Sequence, residues 1–194
     1  MFADNPLGYG GRAHFDGEIN YRSYDVPEDY GYAQDDSNAR LDRLSYSIGG
    51  TRFTPSRWQF GRFLQSGMPE FGVLDGAEWG SRLEGGDSYG VSLGYLPEPD
   101  DDQKSFQDLQ VAGYYRWVAD LRELFTITTG FQKTWHNGNS DRDLFIGKME
   151  YRNPKGWNMF ANAWVDIYDA DDVNKDSGPA LTYAIFDLRR SLSK

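Results

Sequence analysis

The sequence predicts an all-β protein whose strands run up and down in a single antiparallel meander, and three observations predict it. Apolar and polar residues alternate along nearly the whole chain, which is the period of a β-strand. Aromatics make up 16% of the 194 residues and glycine supplies 22 of them, the profile of a folded, β-leaning chain long enough for one domain spanning residues 1–194. Tight and longer connections also take turns strictly, an order that a meander imposes and a Greek-key sandwich does not.

The elements follow in order. Residues 1–11, MFADNPLGYGG, read as an N-terminal extension with neither a basic start nor an apolar stretch, so the chain is either cytosolic or has lost a leader. AHFDGEINYRS then sets Ala13, Phe15, Gly17, Ile19 and Tyr21 against His14, Asp16, Glu18, Asn20 and Arg22. RLSYSIGGT and WQFGRFL are joined by a turn at 54–56, and VLDGAEWGSRL by a Gly-rich turn to SYGVSLGY, where Tyr89, Val91, Leu93 and Tyr95 alternate with Ser88, Gly90, Ser92 and Gly94. This last hairpin is the firmest pairing. LQVAGYYRW, LFTITTGFQKTWH, LFIGKMEYR, WNMFANAWVDIY and LTYAIFDL continue the pattern, giving about ten strands between residues 12 and 190 and no segment of helical period. The connections near 27–38, 65–72, 97–105, 137–141 and 169–180 are mostly long and acidic, those near 54–57, 84–87, 119–123 and 153–156 tight. Every tight turn thus falls at one end of the sheet.

Alternation leaves open which face is dry. Strands near ten residues suit a tilted bilayer crossing, which takes about 9–11 residues, better than the shorter strands of soluble domains. Apolar-face aromatics gather at strand ends: Phe53, Trp58, Tyr89, Trp117, Tyr151 and Trp157 by the tight turns, and Tyr21, Tyr95 and Trp135 by the longer loops. Charge enters the apolar face only near its ends, through Arg62, Asp75 and Lys133 on the long-loop side and Asp187 opposite. The fold expected is therefore an up-and-down antiparallel transmembrane β-barrel. Its lumen-lining candidates are Glu18, Arg22, Arg43, Glu78, Arg82, Arg116, Lys148, Glu150 and Arg152, with Asp16 and Asp166 on the same face. On a soluble protein the same residues would form a solvated surface.

FGRF followed by LDGAEW, residues 60–63 and 74–79, resembles the Gly-Arg and Asp-Gly strands of bacterial outer-membrane β-barrel proteins of porin-like type. The resemblance implies a Gram-negative cell outer membrane and passive transport. That family usually ends in a strand with a terminal aromatic, whereas this chain ends RRSLSK, which leads us to expect part of a larger barrel.

Charge and composition exclude other classes. A net charge of -10 and a pI near 4.6 argue against nucleic acid, since a phosphate-binding surface needs a basic excess. Without cysteine there are no disulfides, zinc-thiolate sites or thiol nucleophiles. A mean hydropathy of -0.71 with no long apolar run excludes a transmembrane helix but not transmembrane strands. His14 and His136 lie on the polar face with Ser45, Ser47 and Asp16 nearby in sequence, yet no spacing supports a catalytic triad. DVNKDSG, residues 172–178, offers alternate oxygen ligands but misplaces the glycine and the last ligand of a calcium-binding EF-hand loop. It reads, like EPDDDQKS at 98–105, as a solvated acidic loop.

The function expected is a porin-like passive conduit for small solutes or a structural membrane protein. Membrane lipid and small solutes are its partners, with no catalytic residue, cofactor or metal. A soluble all-β binding module and an outer-membrane barrel enzyme are the alternatives. About ten strands enclose little free space, and pairs such as Glu18 with Arg22 or Glu150 with Arg152 would narrow it further.

Overall fold

The computed structural model describes residues 1–23, 35–98, 105–153, 156–168 and 178–191. Its strands are β1 (Phe2–Asp4), β2 (Arg12–Ser23), β3 (Asp35–Gly49), β4 (Ser56–Leu64), β5 (Val73–Arg82), β6 (Ser88–Leu96), β7 (Asp108–Val118), β8 (Phe125–His136), β9 (Asn139–Arg152), β10 (Trp157–Tyr168) and β11 (Gly178–Arg190). They form one sheet of eleven strands in sequence order, every neighbouring pair antiparallel. The only helical element among the described residues is a single 3-10 turn at Pro69–Phe71.

The all-β meander is thus as the alternation requires, and β5 meets β6 in the anticipated hairpin, Trp79 opposite Val91 and Arg82 opposite Ser88. Three expectations need correction. First, the sheet is open: among the described residues no pairing joins β11 to β1 or β2, so the barrel is not closed. Second, the strands number eleven because the N-terminal extension contributes β1, which pairs with β2 at Phe2 opposite His14 and Asp4 opposite Arg12. Third, the connection expected to be long near 137–141 is a two-residue turn between β8 and β9. Asn137 and Gly138 both take positive φ, 50° and 83°, which is the backbone that lets a two-residue hairpin follow the strand twist.

The two faces differ in kind. On one, termed convex here, apolar side chains are open to the surroundings: Val91 is 56% exposed, Leu93 55% and Phe145 43%. On the other, termed inner, polar side chains are buried, with Gln110 at 0%, Thr134 at 3% and Asp166 at 2% exposure. Residues 65–72, between β4 and β5, fold back over the inner face and supply its apolar plug. Met68 and Phe71 cluster there with Ala112, Leu144 and Ile146, flanked by Tyr114 and Trp164. Gly130 makes room for this plug: a Cβ there would meet Phe71 Cζ at 2.6 Å. Such an arrangement inverts the ordinary burial order, in which apolar groups leave the surface and buried polar groups are the exception.

Candidate functional site

The inner face is where charge, burial and cavity coincide, and the segment 65–72 organises it. Gln65, 1% exposed, accepts hydrogen bonds through Oε1 from Ser92 Oγ (2.5 Å) on β6 and Gln110 Nε2 (3.2 Å) on β7. Gln110 Oε1 accepts in turn from Gln132 Nε2 (3.4 Å) on β8. One chain of amide and hydroxyl groups therefore crosses three strands, meeting the demand that buried polar groups be bonded. Ser66 ties the segment to β5, its backbone N–H and its hydroxyl donating to Glu78 at 3.1 and 2.5 Å. At the far side Lys148 of β9 reaches Glu70 at 3.1 Å. Glu70 Oε2 is buried without a hydrogen-bond partner.

Tyr114 completes the fit from β7. A Cβ at Gly67, Gly80 or Gly90 would collide with its ring or hydroxyl, so three glycines on the segment, β5 and β6 are the floor on which the ring lies. The plug separates two cavities. The one towards the tight turns, about 880 Å³, is bounded by Arg57, Glu78, Arg82 and Tyr114. The other, about 630 Å³, lies towards the long loops and brings Asp16, Asp42 and Arg43 of β2 and β3 to the same space as Arg142, Leu144 and Trp164 of β9 and β10. The sheet curls enough for its two ends to share a cavity.

The lumen-lining candidates fall into separate groups. Glu78, 5% exposed, faces Arg57 at 3.8 Å as well as Ser66. Arg82 and Arg116 converge on Glu123 at 2.6 and 2.8 Å, in the turn between β7 and β8. The hydrogen bond from Arg116, with Arg82 adding to it, holds the Glu123 carboxyl below the usual glutamate range. Lys148 also meets Glu150 at 3.5 Å, and Arg152 meets Glu150 at 3.4 Å, so this expected pair forms. Glu18 pairs with Arg40 at 3.4 Å, and the side chain of Arg22 lies outside what the structure describes. Arg43 stands opposite Asp16 in the ladder and lines the cavity towards the long loops. Asp166, buried, takes a bidentate contact from Arg142, one arm at 3.0 Å.

Charges assigned to the apolar face are neutralised by one another. Arg62 and Asp75 are direct ladder partners and bond at 2.7 and 2.5 Å, with the Ser105 hydroxyl donating to the same carboxylate. Lys133 and Asp143 repeat the device at 2.6 Å. Asp187 corrects the reading: it stands opposite Phe160 on the inner face, because a bulge at Trp164/Val165 shifts the phase of β11. By the tight turns the convex aromatics touch in series: Trp58 with Trp79 at 6.3 Å, Trp79 with Tyr89 at 5.6 Å, Trp117 with Phe125 at 5.8 Å and Phe125 with Tyr151 at 6.2 Å.

The histidines are apart. His14 stacks on Phe2 at 4.1 Å, and His136 contacts Asp108 at 2.5 Å near the loop rim. No group of three metal-binding side chains occurs among the described residues. The acidic stretch 172–177 and most of 98–105 lie outside the described residues.

The sequence reading missed Gln65, Met68, Glu70 and Phe71, because it treats 65–72 only as one of the longer, mostly acidic connections. Apolar Met68 and Phe71 inside a connection were the available signal, since a solvated loop has no use for them. No protein-family model, curated protein or solved structure matches this chain.

Proposed function

We propose that this chain forms the wall of a bacterial outer-membrane β-barrel and serves as a porin-like passive conduit for small solutes. One observation carries the reading: apolar side chains lie open on the convex face while amides, hydroxyls and carboxylates are buried on the inner one. In water that distribution exposes apolar area at a cost of roughly 25 cal/mol per Å². Against lipid it is the stable one. The aromatic series near the tight turns and the ion pairs that neutralise Arg62 and Lys133 agree with a face that meets a membrane interface and then hydrocarbon.

Solutes would pass between the two inner cavities, and residues 65–72 stand between them. Width at the plug and the charges of Glu70, Glu78 and Lys148 would then set what passes. Two measurements test this. The protein should partition into detergent or liposomes, and planar bilayers holding it should show small ohmic steps that grow when 65–72 is replaced by a short Gly-Ser link. A chain that is monodisperse without detergent favours the soluble binding module. Inserted protein that stays silent with and without the plug defeats the conduit.

A further inference from the structure

We propose that the cavity towards the long loops binds a neutral, polyhydroxylated solute, a sugar of one or two rings, with its apolar ring face on Trp164 and its hydroxyls among the acids and arginines around it. The inference rests on the conduit reading and deepens it by naming the class of solute.

Three observations converge on it, and the first is size. The cavity holds about 630 Å³, inside the roughly 300–1,000 Å³ of small-molecule sites. A single ion would leave most of it unfilled. The second is charge. Its acids come from four separate elements, Asp16 of β2, Asp42 of β3, Glu70 of the segment 65–72 and Glu98 beyond β6. They do not converge, since no group of three metal-binding side chains occurs among the described residues. Asp42 is met by Arg40 at 2.8 Å and Glu70 by Lys148 at 3.1 Å, while Arg142 holds Asp166 with two arms and Arg43 stands opposite Asp16 in the ladder. A solute with net charge therefore gains at one wall what it loses at the next. A hydroxyl is donor and acceptor at once and can use both. Carboxylates keep lone pairs beyond those in their ion pairs, and Arg142, 39% exposed, bonds Asp166 through Nε and Nη2 only, which leaves the Nη1 hydrogens.

The third is an aromatic surface set among those polar groups. Trp164 lines the cavity while its Nε1–H donates to Asn162 Oδ1 at 3.1 Å, so the indole offers the cavity its ring and no donor. The ring is held in place. Tyr183 tilts against it at 5.2 Å, and the cluster of Met68, Phe71, Leu144 and Ile146 packs beside it. A fixed aromatic ring rimmed by carboxylate, guanidinium and amide groups suits a solute with one apolar C–H face and a border of hydroxyls. Sugar rings have that shape, and small ions do not.

Titration calorimetry on the full chain in detergent, with cellobiose, arginine and glutamate as probes, reads binding without needing a current. The expected result is saturable binding of cellobiose, weakened about tenfold by Trp164→Leu and largely kept by Trp164→Phe, which retains a ring. Asp16→Asn and Arg43→Gln should lower it by no more than about threefold, because an amide still bonds a hydroxyl. Trp157→Leu, on the convex face at the tight-turn end, should leave it unchanged. Preference for arginine or glutamate over cellobiose would overturn the inference. So would the absence of saturable cellobiose binding, or equal effects of the two Trp164 variants. Swelling of liposomes in cellobiose is read separately: flux without saturable binding strikes the site and keeps the conduit, and binding without flux keeps the site and strikes the conduit.

Discussion

Replacing Gly130 by alanine tests how firmly the plug is seated, because a single methyl group is aimed at it. The new Cβ would fall against Met68 Sδ and lie 2.6 Å from Phe71 Cζ and 3.2 Å from Cε1. The methionine end can swing away, but Phe71 is 4% exposed and held in a tight turn by its N–H to Met68 O at 3.0 Å. Room is made only by lifting the segment. Overpacking of this kind costs about 1–3 kcal/mol, which shifts the docked-to-lifted ratio of 65–72 by about 5- to 150-fold. Hydrogen exchange read by mass spectrometry should show faster exchange across 65–72 by that factor, with the amides of β8 unchanged. Gly147→Ala is the control. It lies in the adjacent strand, opposite Thr129, and its added Cβ meets nothing within 4 Å. Equal behaviour of the two variants, or no change in the segment of Gly130→Ala, would refute the docking argument.

Other expectations follow from the ion pairs. Arg142→Ala leaves the Asp166 carboxylate, 2% exposed, without its guanidinium; Arg142 is itself 39% exposed, so the cost falls between the buried and surface limits, about 1–3 kcal/mol in a urea titration. Glu123 has a folded-state pKa below its unfolded value, so its stabilisation is present above the unfolded value, about 4.3, and is lost as pH falls through the folded one. Glu123→Gln should flatten that acid limb of the stability profile, and an unchanged limb would count against the clamp. Arg62→Ala should destabilise more than Arg62→Ala with Asp75→Ala, because the single variant strands a carboxylate on the convex face. A double-mutant cycle in lipid measures the difference, and strict additivity would mean the pair is not coupled.

The period-two signal was enough to place most strands and to assign most side chains to a face, because alternation is a local property of the strand. Glu78, Arg116, Lys148 and Asp166 were placed on the inner face by that rule alone, and the paired charges at 62, 75 and 133 were found as breaks in it. What failed needed more than two faces. The bulge at Trp164/Val165 puts an additional residue into β11 and carries Asp187 across the sheet, and no residue type in that stretch marks it. The shift between Asp16 and Gly17 against β3 is equally silent. The seat of 65–72 depends on a glycine far along the chain, at 130, and that of Tyr114 beside it on glycines at 80 and 90, whose purpose shows only when the sheet has curled. Closure, likewise, is a question of total curvature and not of any one strand.

Inverted burial has a consequence for how this sequence can change over time. Val91, Leu93 and Val111 need only be apolar, since nothing fitted to their shape covers them. Exchanging one aliphatic residue for another there should cost within about 0.5 kcal/mol. Gln65, Gln110 and Gln132 have no such latitude, because a leucine at any of them leaves the next amide with a buried, unanswered group. The two surfaces of one sheet are therefore under different rules, one conserving a property and the other a geometry. Across diverged copies the rhythm of large and small residues would outlast their identities on the convex side, while the amide relay would be inherited as a unit or lost as one.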